Sequence, residues 1–202
     1  MIEPCRTLAP HMEDLNNYRL RWEQGGDTLY TTTASLPLNS QTKLFLKRAG
    51  LPRDAAPFLS FELDEANELA LGWLRTKYPH LSTSFEKYVH LGVDGGGNPL
   101  VIDAEKEDTI LWLDHEDLFK AYYINKNIKH FGFCLLVYRD FVLEVNKDLN
   151  DDQFFDEAFT DGQFNKLKSA LLAMDDSVLK ASGFWAEQLD VLLTNREDAI
   201  GN

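Results

Sequence analysis

The stretch Lys87-Tyr88-Val89-His90-Leu91-Gly92-Val93-Asp94-Gly95-Gly96-Gly97-Asn98-Pro99-Leu100-Val101-Ile102-Asp103 holds two β-rich runs separated by a glycine cluster. Residues 87–93 read as a strand, 94–98 as a turn that needs positive φ, and 99–103 as the returning strand. A second reversal over Ala104–Asp108 leads into Thr109-Ile110-Leu111-Trp112-Leu113, which completes a three-stranded antiparallel meander. The two later strands are apolar on consecutive rather than alternate residues, so both faces of the sheet should be covered.

Helical periodicity surrounds this centre. Met12, Leu15, Tyr18 and Trp22 recur at three- and four-residue steps, so residues 10–24 read as a helix stopped by Gly25-Gly26. Thr28–Thr33 reads as a short strand or extended arm. Asn39 or Ser40 can cap a second helix with Leu44 and Phe45 facing inward, Lys47 and Arg48 at its negative end, and Gly50 and Pro52 ending it. Phe58–Leu63 reads as a strand, whereas 64–78 fits a strand and a helix equally. Beyond the meander, Asn127 can cap a helix with Ile128, Phe131, Leu135 and Tyr138 on one face, and Phe141-Val142-Leu143 suits its continuation or a strand. Phe164, Leu167, Leu171 and Leu172 mark one further amphipathic helix, and Phe184, Trp185, Leu189 and Leu192 another. Strands in the middle with helices at both ends point to an α+β fold, one domain over residues 1–202 whose first 35 residues form an N-terminal helical extension.

The charge narrows the partners. Twenty Lys and Arg face 33 Asp and Glu in 202 residues, a formal net charge of -13. Phosphate backbones and anionic lipid repel such a chain, so neither nucleic acid nor membrane is an expected partner, while a basic protein or a cation is. From Asp148 to Asp161 the chain carries acids and no base. The N-terminus lacks the apolar stretch of a secretory signal, and the longest apolar run, Phe131–Tyr138, is far short of the ~20 residues that span a bilayer. Cys5 and Cys134 are far apart, with Cys134 in an apolar run as a buried thiol. A cytoplasmic setting is expected.

Candidate chemistry is sparse. A phosphate cradle over Gly95-Gly96-Gly97 would need a following helix with Lys and Ser or Thr, but Asn98-Pro99 and a β-run follow, which suits a hairpin turn. The acids Asp94, Asp103, Glu105, Glu107, Asp108, Asp114, Glu116 and Asp117 crowd the meander. A glycosidase pair or a Ca²⁺ site could draw on them, yet the EF-hand spacing is absent and most fall where loop tips should meet solvent or a partner. The histidines lack zinc-site spacing, no Gly-x-Ser-x-Gly elbow exists, and Cys134 has no neighbouring base. No cofactor, metal or catalytic constellation is therefore expected. Trp112, Tyr122 and Tyr123 are the aromatics to watch for a binding surface.

Taken in order, these segments resemble the SUKH superfamily. Phe45-Leu46 with Gly50-Leu51-Pro52, then Phe58-Leu59-Ser60-Phe61, are similar to its opening. Residues 91–103 are similar to its central hairpin, and Tyr123–Ile128 with Phe131 to the start of its long helix. Phe184-Trp185 looks like the closing aromatic pair of one subfamily. Asn127 stands where Ser is more usual. The likeness spans roughly residues 36–195 and leaves the first helix outside. It implies a non-enzymatic, cytosolic immunity protein that binds and neutralises a polymorphic toxin, a nuclease or nucleic-acid deaminase. A regulatory scaffold akin to a yeast regulator of cell-wall assembly is the alternative. With the acidic charge, the expected contact region is Asp94, Asn98, Asp103, Glu105, Asp108, Asp114 and Glu116, facing a basic toxin.

Overall fold

The computed structural model describes residues 15–147, 149, 158–180 and 183–201. Met12 and most of the acidic stretch after Asp148 lie outside them. Helix α1 (Leu15–Gln24) buries Tyr18 and Trp22, one turn apart on the same face. Strand β1 (Leu29–Tyr30) is shorter than the expected arm. Next, α2 (Ser40–Arg48) begins at Asn39, whose side chain accepts the Gln41 and Thr42 amides at 2.9 Å. Its inward stripe runs through Thr42, Phe45, Leu46 and Ala49, which leaves Leu44 exposed rather than inward. The β1 strand pairs with β2 (Leu51–Pro52) immediately after α2.

The main sheet follows. Its strands are β3 (Asp54–Ala55), β4 (Leu59–Ser60), β5 (Gly72–Trp73), β6 (Tyr88–Asp94), β7 (Pro99–Asp103), β8 (Thr109–Asp114) and β9 (Lys120–Asn125), with α3 (Leu74–Lys77) after β5. Their order is β3-β4-β6-β7-β8-β9, antiparallel throughout, and β5 also pairs with β6. The meander thus has a fourth strand, β9. The expected strand over Phe58–Leu63 shrinks to two residues for two reasons. Phe58 adopts φ 53, and the outer edge of β6 is shared, β4 taking Val93 and Asp94 while β5 takes Val89 and His90. At the β4 crossing a Cβ on Gly92 would stand 2.4 Å from the Ser60 carbonyl oxygen, so this close approach requires glycine. The undecided stretch 64–78 resolves into a loop closed by a Leu63–Leu69 bridge, then β5 and α3.

Among the described residues three long helices follow: α4 (Ile128–Asn146), α5 (Asp161–Met174) and α6 (Phe184–Gly201). Asn127 caps α4 by accepting the His130 amide at 3.1 Å. The helix continues through Phe141 because Phe141 and Val145 extend its buried stripe, and burial overrides local β-propensity. A Thr160–Gln163 capping box starts α5.

Both faces of the sheet are covered, as the consecutive apolar residues require. On one face the helices pack over Val89, Leu91, Leu100, Ile102, Ile110 and Ile124. On the other, Val101, Leu111 and Leu113 meet Leu74, Leu81 and Tyr88, with Tyr78, Phe85 and Phe119 around them. Successive residues of β7 and β8 serve opposite layers, the period-two geometry of a strand.

A polar pin ties the sheet edge to the C-terminal helices. Asp175, 1% exposed, accepts hydrogen bonds from the Tyr123 hydroxyl at 2.8 Å, Asn125 Nδ2 at 3.1 Å and the Lys126 amide at 3.0 Å on one oxygen. Its other oxygen takes the Ser177 amide and hydroxyl. Burial alone would raise the Asp175 carboxyl, but bonds from Lys126, Ser177, Tyr123 and Asn125 outweigh it and hold its pKa at about 2. Trp185 Nε1 then donates to Asn125 Oδ1 at 2.9 Å.

His90 sits in the second layer, 3% exposed, its ring 6.2 Å from that of Tyr78 and its Nε2 without a hydrogen-bond partner. Burial, reinforced by Lys77 and only partly opposed by Glu62, lowers its pKa to about 4. The fold therefore requires the neutral ring. As pH falls from 6.5 through about 4, the unfolded chain takes up a proton that the folded His90 refuses, which removes up to about 3 kcal/mol. His130, whose pKa burial likewise lowers to about 4, adds a loss over the same range, and Asp175 a further one between pH 3.8 and about 2. In urea unfolding at about pH 7 and about pH 4.5, a His90→Gln variant should lose about 2 kcal/mol less than the parent across the interval. Equal losses would place the first acid transition elsewhere.

Candidate functional site

The glycine turn between β6 and β7 is built around one carboxylate. Asp94 Oδ1 accepts the amides of Gly96 and Asn98 at 2.9 and 2.8 Å, and Oδ2 accepts Asn98 Nδ2 at 2.9 Å and Trp112 Nε1 at 2.7 Å. Gly97, at φ 85, supplies the left-handed residue the reversal needs. Asn98 Oδ1 in turn accepts the His115 amide at 3.0 Å and lies 2.6 Å from His115 Nδ1, which links this turn to the one between β8 and β9. There Asp114 Oδ1 accepts the amides of Glu116 and Asp117. With its four acceptor positions occupied, Asp94 is an organiser of loops. The glycines run into a strand rather than a helix, so no array of helix N-terminal amides forms for a phosphate.

The seven sequence-predicted contact residues divide between opposite ends of the sheet. Asp94, Asn98, Asp114 and Glu116 gather at one end, with Glu116 exposed. Asp103, Glu105 and Asp108 lie at the other, the length of β7 away, about 15 Å. Only Glu105 of these three meets solvent. The expectation that the meander acids are solvated tips is corrected for Asp103 and Asp108, 3% and 2% exposed. Asp103 accepts the Glu105 amide at 3.2 Å and faces Lys87 Nζ at 3.5 Å, while Asp108 accepts the Asn39 amide at 2.8 Å and so holds the residue that caps α2. Both are consumed by the fold, because a buried carboxylate is tolerated only when paired.

The three aromatics expected to mark a surface are also engaged. Trp112 packs on Tyr122 with ring centroids 5.2 Å apart, and Tyr123 donates to Asp175. These three stay half-buried, and the apolar residues most open to solvent are two others, Phe58, 76% exposed, and Leu118, 89% exposed, both at φ 53. Their signal in the sequence is an apolar residue inside a turn, Phe58 after Pro57 and Leu118 after the Asp114–Asp117 run.

Other chemistry finds no support in the geometry. Burial pushes the Cys134 thiol up to about 12, which keeps it from acting as a thiolate. Among the described residues no three His, Cys, Asp or Glu side chains gather to hold a metal ion, and no helix is long and apolar enough to cross a membrane. What remains is a set of rigidly held, acidic and partly apolar loops at one end of a sheet.

Comparison with known families agrees with this architecture. Residues 30–191 match the profile of a family described as SUKH-4 immunity protein. The chain belongs to that family and thereby to the SUKH superfamily, and α1, which lies before the matched region, contributes Tyr18 and Trp22 to the same core. No curated protein and no solved structure matches it.

The Asp94 network is open to direct test. Asp94→Ala should lower the unfolding free energy by about 2 kcal/mol in urea titration, through lost charge-assisted hydrogen bonds. Asp94→Asn should lose nearly as much, since an amide nitrogen at the Oδ2 position would face only donors. An unchanged midpoint in both would show that the turn holds without the carboxylate.

Proposed function

We propose that this member of the SUKH-4 immunity protein family neutralises a cognate polymorphic toxin, a nuclease or nucleic-acid deaminase, by covering its working surface without catalysis. The family match over residues 30–191 carries the reading. An immunity function implies a toxin partner, and the net charge of -13 supports a basic one. An enzyme that acts on nucleic acid must offer positive charge to phosphates, and an acidic protein meets that surface with complementary sign. Complementary charge speeds encounter and rejects wrong partners, while desolvated contacts slow release.

The contact region in this reading is the sheet end that carries Asp94, Asn98, Asp114 and Glu116. Loops pinned by hydrogen bonds lose little conformational entropy on binding, which favours affinity. Glu105, with Asp103 and Asp108, lies away from that end. The complex would form in the cytoplasm, where the toxin's substrate is.

Titration calorimetry against the toxin domain encoded beside this protein, catalytically inactivated, tests the reading. A one-to-one complex at about nanomolar Kd or tighter is expected, with an association rate that falls as salt rises. Absence of binding at micromolar concentrations would overturn it in favour of a regulatory scaffold. A rate indifferent to salt would remove the electrostatic part.

A further inference from the structure

The two most exposed large apolar side chains among the described residues, Phe58 at 76% and Leu118 at 89%, stand at the same end of the sheet. Strand register puts them there. Leu59 pairs with Asp94, so the loop before β4 meets the glycine turn, and a Cβ on Gly95 would lie 3.2 Å from Phe58 Cβ. Leu118 belongs to the turn between β8 and β9, which the His115–Asn98 hydrogen bond ties to that same glycine turn. Three loops therefore form one face, spanning about three strand spacings, or about 14 Å, from β4 to β8. A shallow apolar cleft of about 510 Å³, lined by Ala55, Pro57, Phe58 and Gly95 among others, opens at its β4 side.

Neither folding nor solubility accounts for these two residues. Each exposes most of an apolar side chain to water, and each holds a left-handed backbone that bulky residues rarely adopt. Exposure and strain together at loop positions mark a surface kept for contact. Around them stand Asp54, Asp94, Asp114, Glu116 and Asp117. The basic side chains nearby in sequence, Arg53 and Lys120, are each within ion-pair distance of one of these acids, Asp54 at 4.0 Å and Asp117 at 3.2 Å. The face therefore has an apolar centre inside a net acidic rim, the layout of a binding hot spot. At the opposite end, the turn at Ala104–Asp108 offers acids but no exposed large apolar residue among those described, and its Asp108 is buried against the start of α2.

We infer that Phe58 and Leu118 are the anchors with which this protein grips its toxin, seating in an apolar depression that basic side chains surround on the partner. The inference rests on the immunity reading and names the surface that serves it. The acidic rim sets the approach and excludes acidic proteins, and the two anchors set the lifetime of the complex.

The test compares three proteins by binding kinetics against the inactivated toxin domain: wild type, Phe58→Asn with Leu118→Asn, and Glu105→Ala as a control at the far end. Asparagine tolerates the left-handed backbone, so the double variant keeps the loop geometry, and thermal unfolding checks that it folds. The double variant should lose on the order of 100-fold in affinity, chiefly through faster dissociation, while its melting temperature holds or rises. Glu105→Ala should stay within about threefold of wild type. Wild-type affinity in a folded double variant would overturn the anchor assignment and leave the immunity reading standing. A wild type that does not bind would overturn the immunity reading itself.

Discussion

One buried carboxylate holds together parts of the chain that are far apart in sequence. Asp175 lies just past the end of α5, yet its donors are Tyr123 and Asn125 on β9, the Lys126 amide that leads into α4, and Ser177 on the way to α6. Asn125, itself fully buried, passes the link on to Trp185 in α6 and to the Cys134 thiol in α4. Such an ion is tolerable inside a protein only because its lone pairs are filled, and five donors from one short strand and one turn fill them. The arrangement sets where α5 and α6 sit against the sheet edge. It also protects most of β9, since an edge strand engaged by helices and side-chain bonds offers less to a stray partner.

With the β9 edge and both faces of the sheet engaged, the two sheet ends are left to the connecting turns, and the structure treats them differently. At one end Asp108 and Asp103 turn inward to hold α2 and Lys87. At the other, Asp94 gathers donors from its own turn and from Trp112, and leaves Phe58, Leu118 and a rim of acids facing outward. Acidic side chains thus serve two purposes: Asp103, Asp108 and Asp94 are spent on bonds within the fold, whereas Glu116 and Asp117 meet solvent. Rigidity beneath and chemistry above is the division expected of a protein whose task is to fit another protein.

The strongest local patterns proved the most legible. Strands β6 to β8 carry β-branched runs bounded by glycine and acidic turns, and their bounds come out within a residue of expectation. The long helix after Asn127 was legible from its cap and stripe, and the double coverage of the sheet from consecutive apolar residues. Strand β9 was hidden because Tyr122 and Tyr123 looked like a surface pair. Their contacts run to Trp112 and to Asp175, more than fifty residues beyond, which no local window contains. The stretch 64–78 was undecidable for a related reason, since β5 and α3 are short and owe their existence to the edge of β6 and the layer beneath it.

By itself the sequence determined the fold class, the acidic character that favours a basic partner, and the family resemblance, because hydrophobic periodicity, charge and turn chemistry are local properties that survive without coordinates. It also placed the candidate acids on the meander as one contact region, which the five-residue β7 divides between the two sheet ends. Only the tertiary structure decided which acids face solvent. Asp108 is buried by an amide at Asn39 and Asp94 is saturated by an indole at Trp112, both donors brought in by the folding of distant segments. The exposed pair Phe58 and Leu118 was decided in the same way. Whether an apolar residue in a turn packs inward or stands in water depends on backbone conformation and on neighbours that only the folded chain supplies.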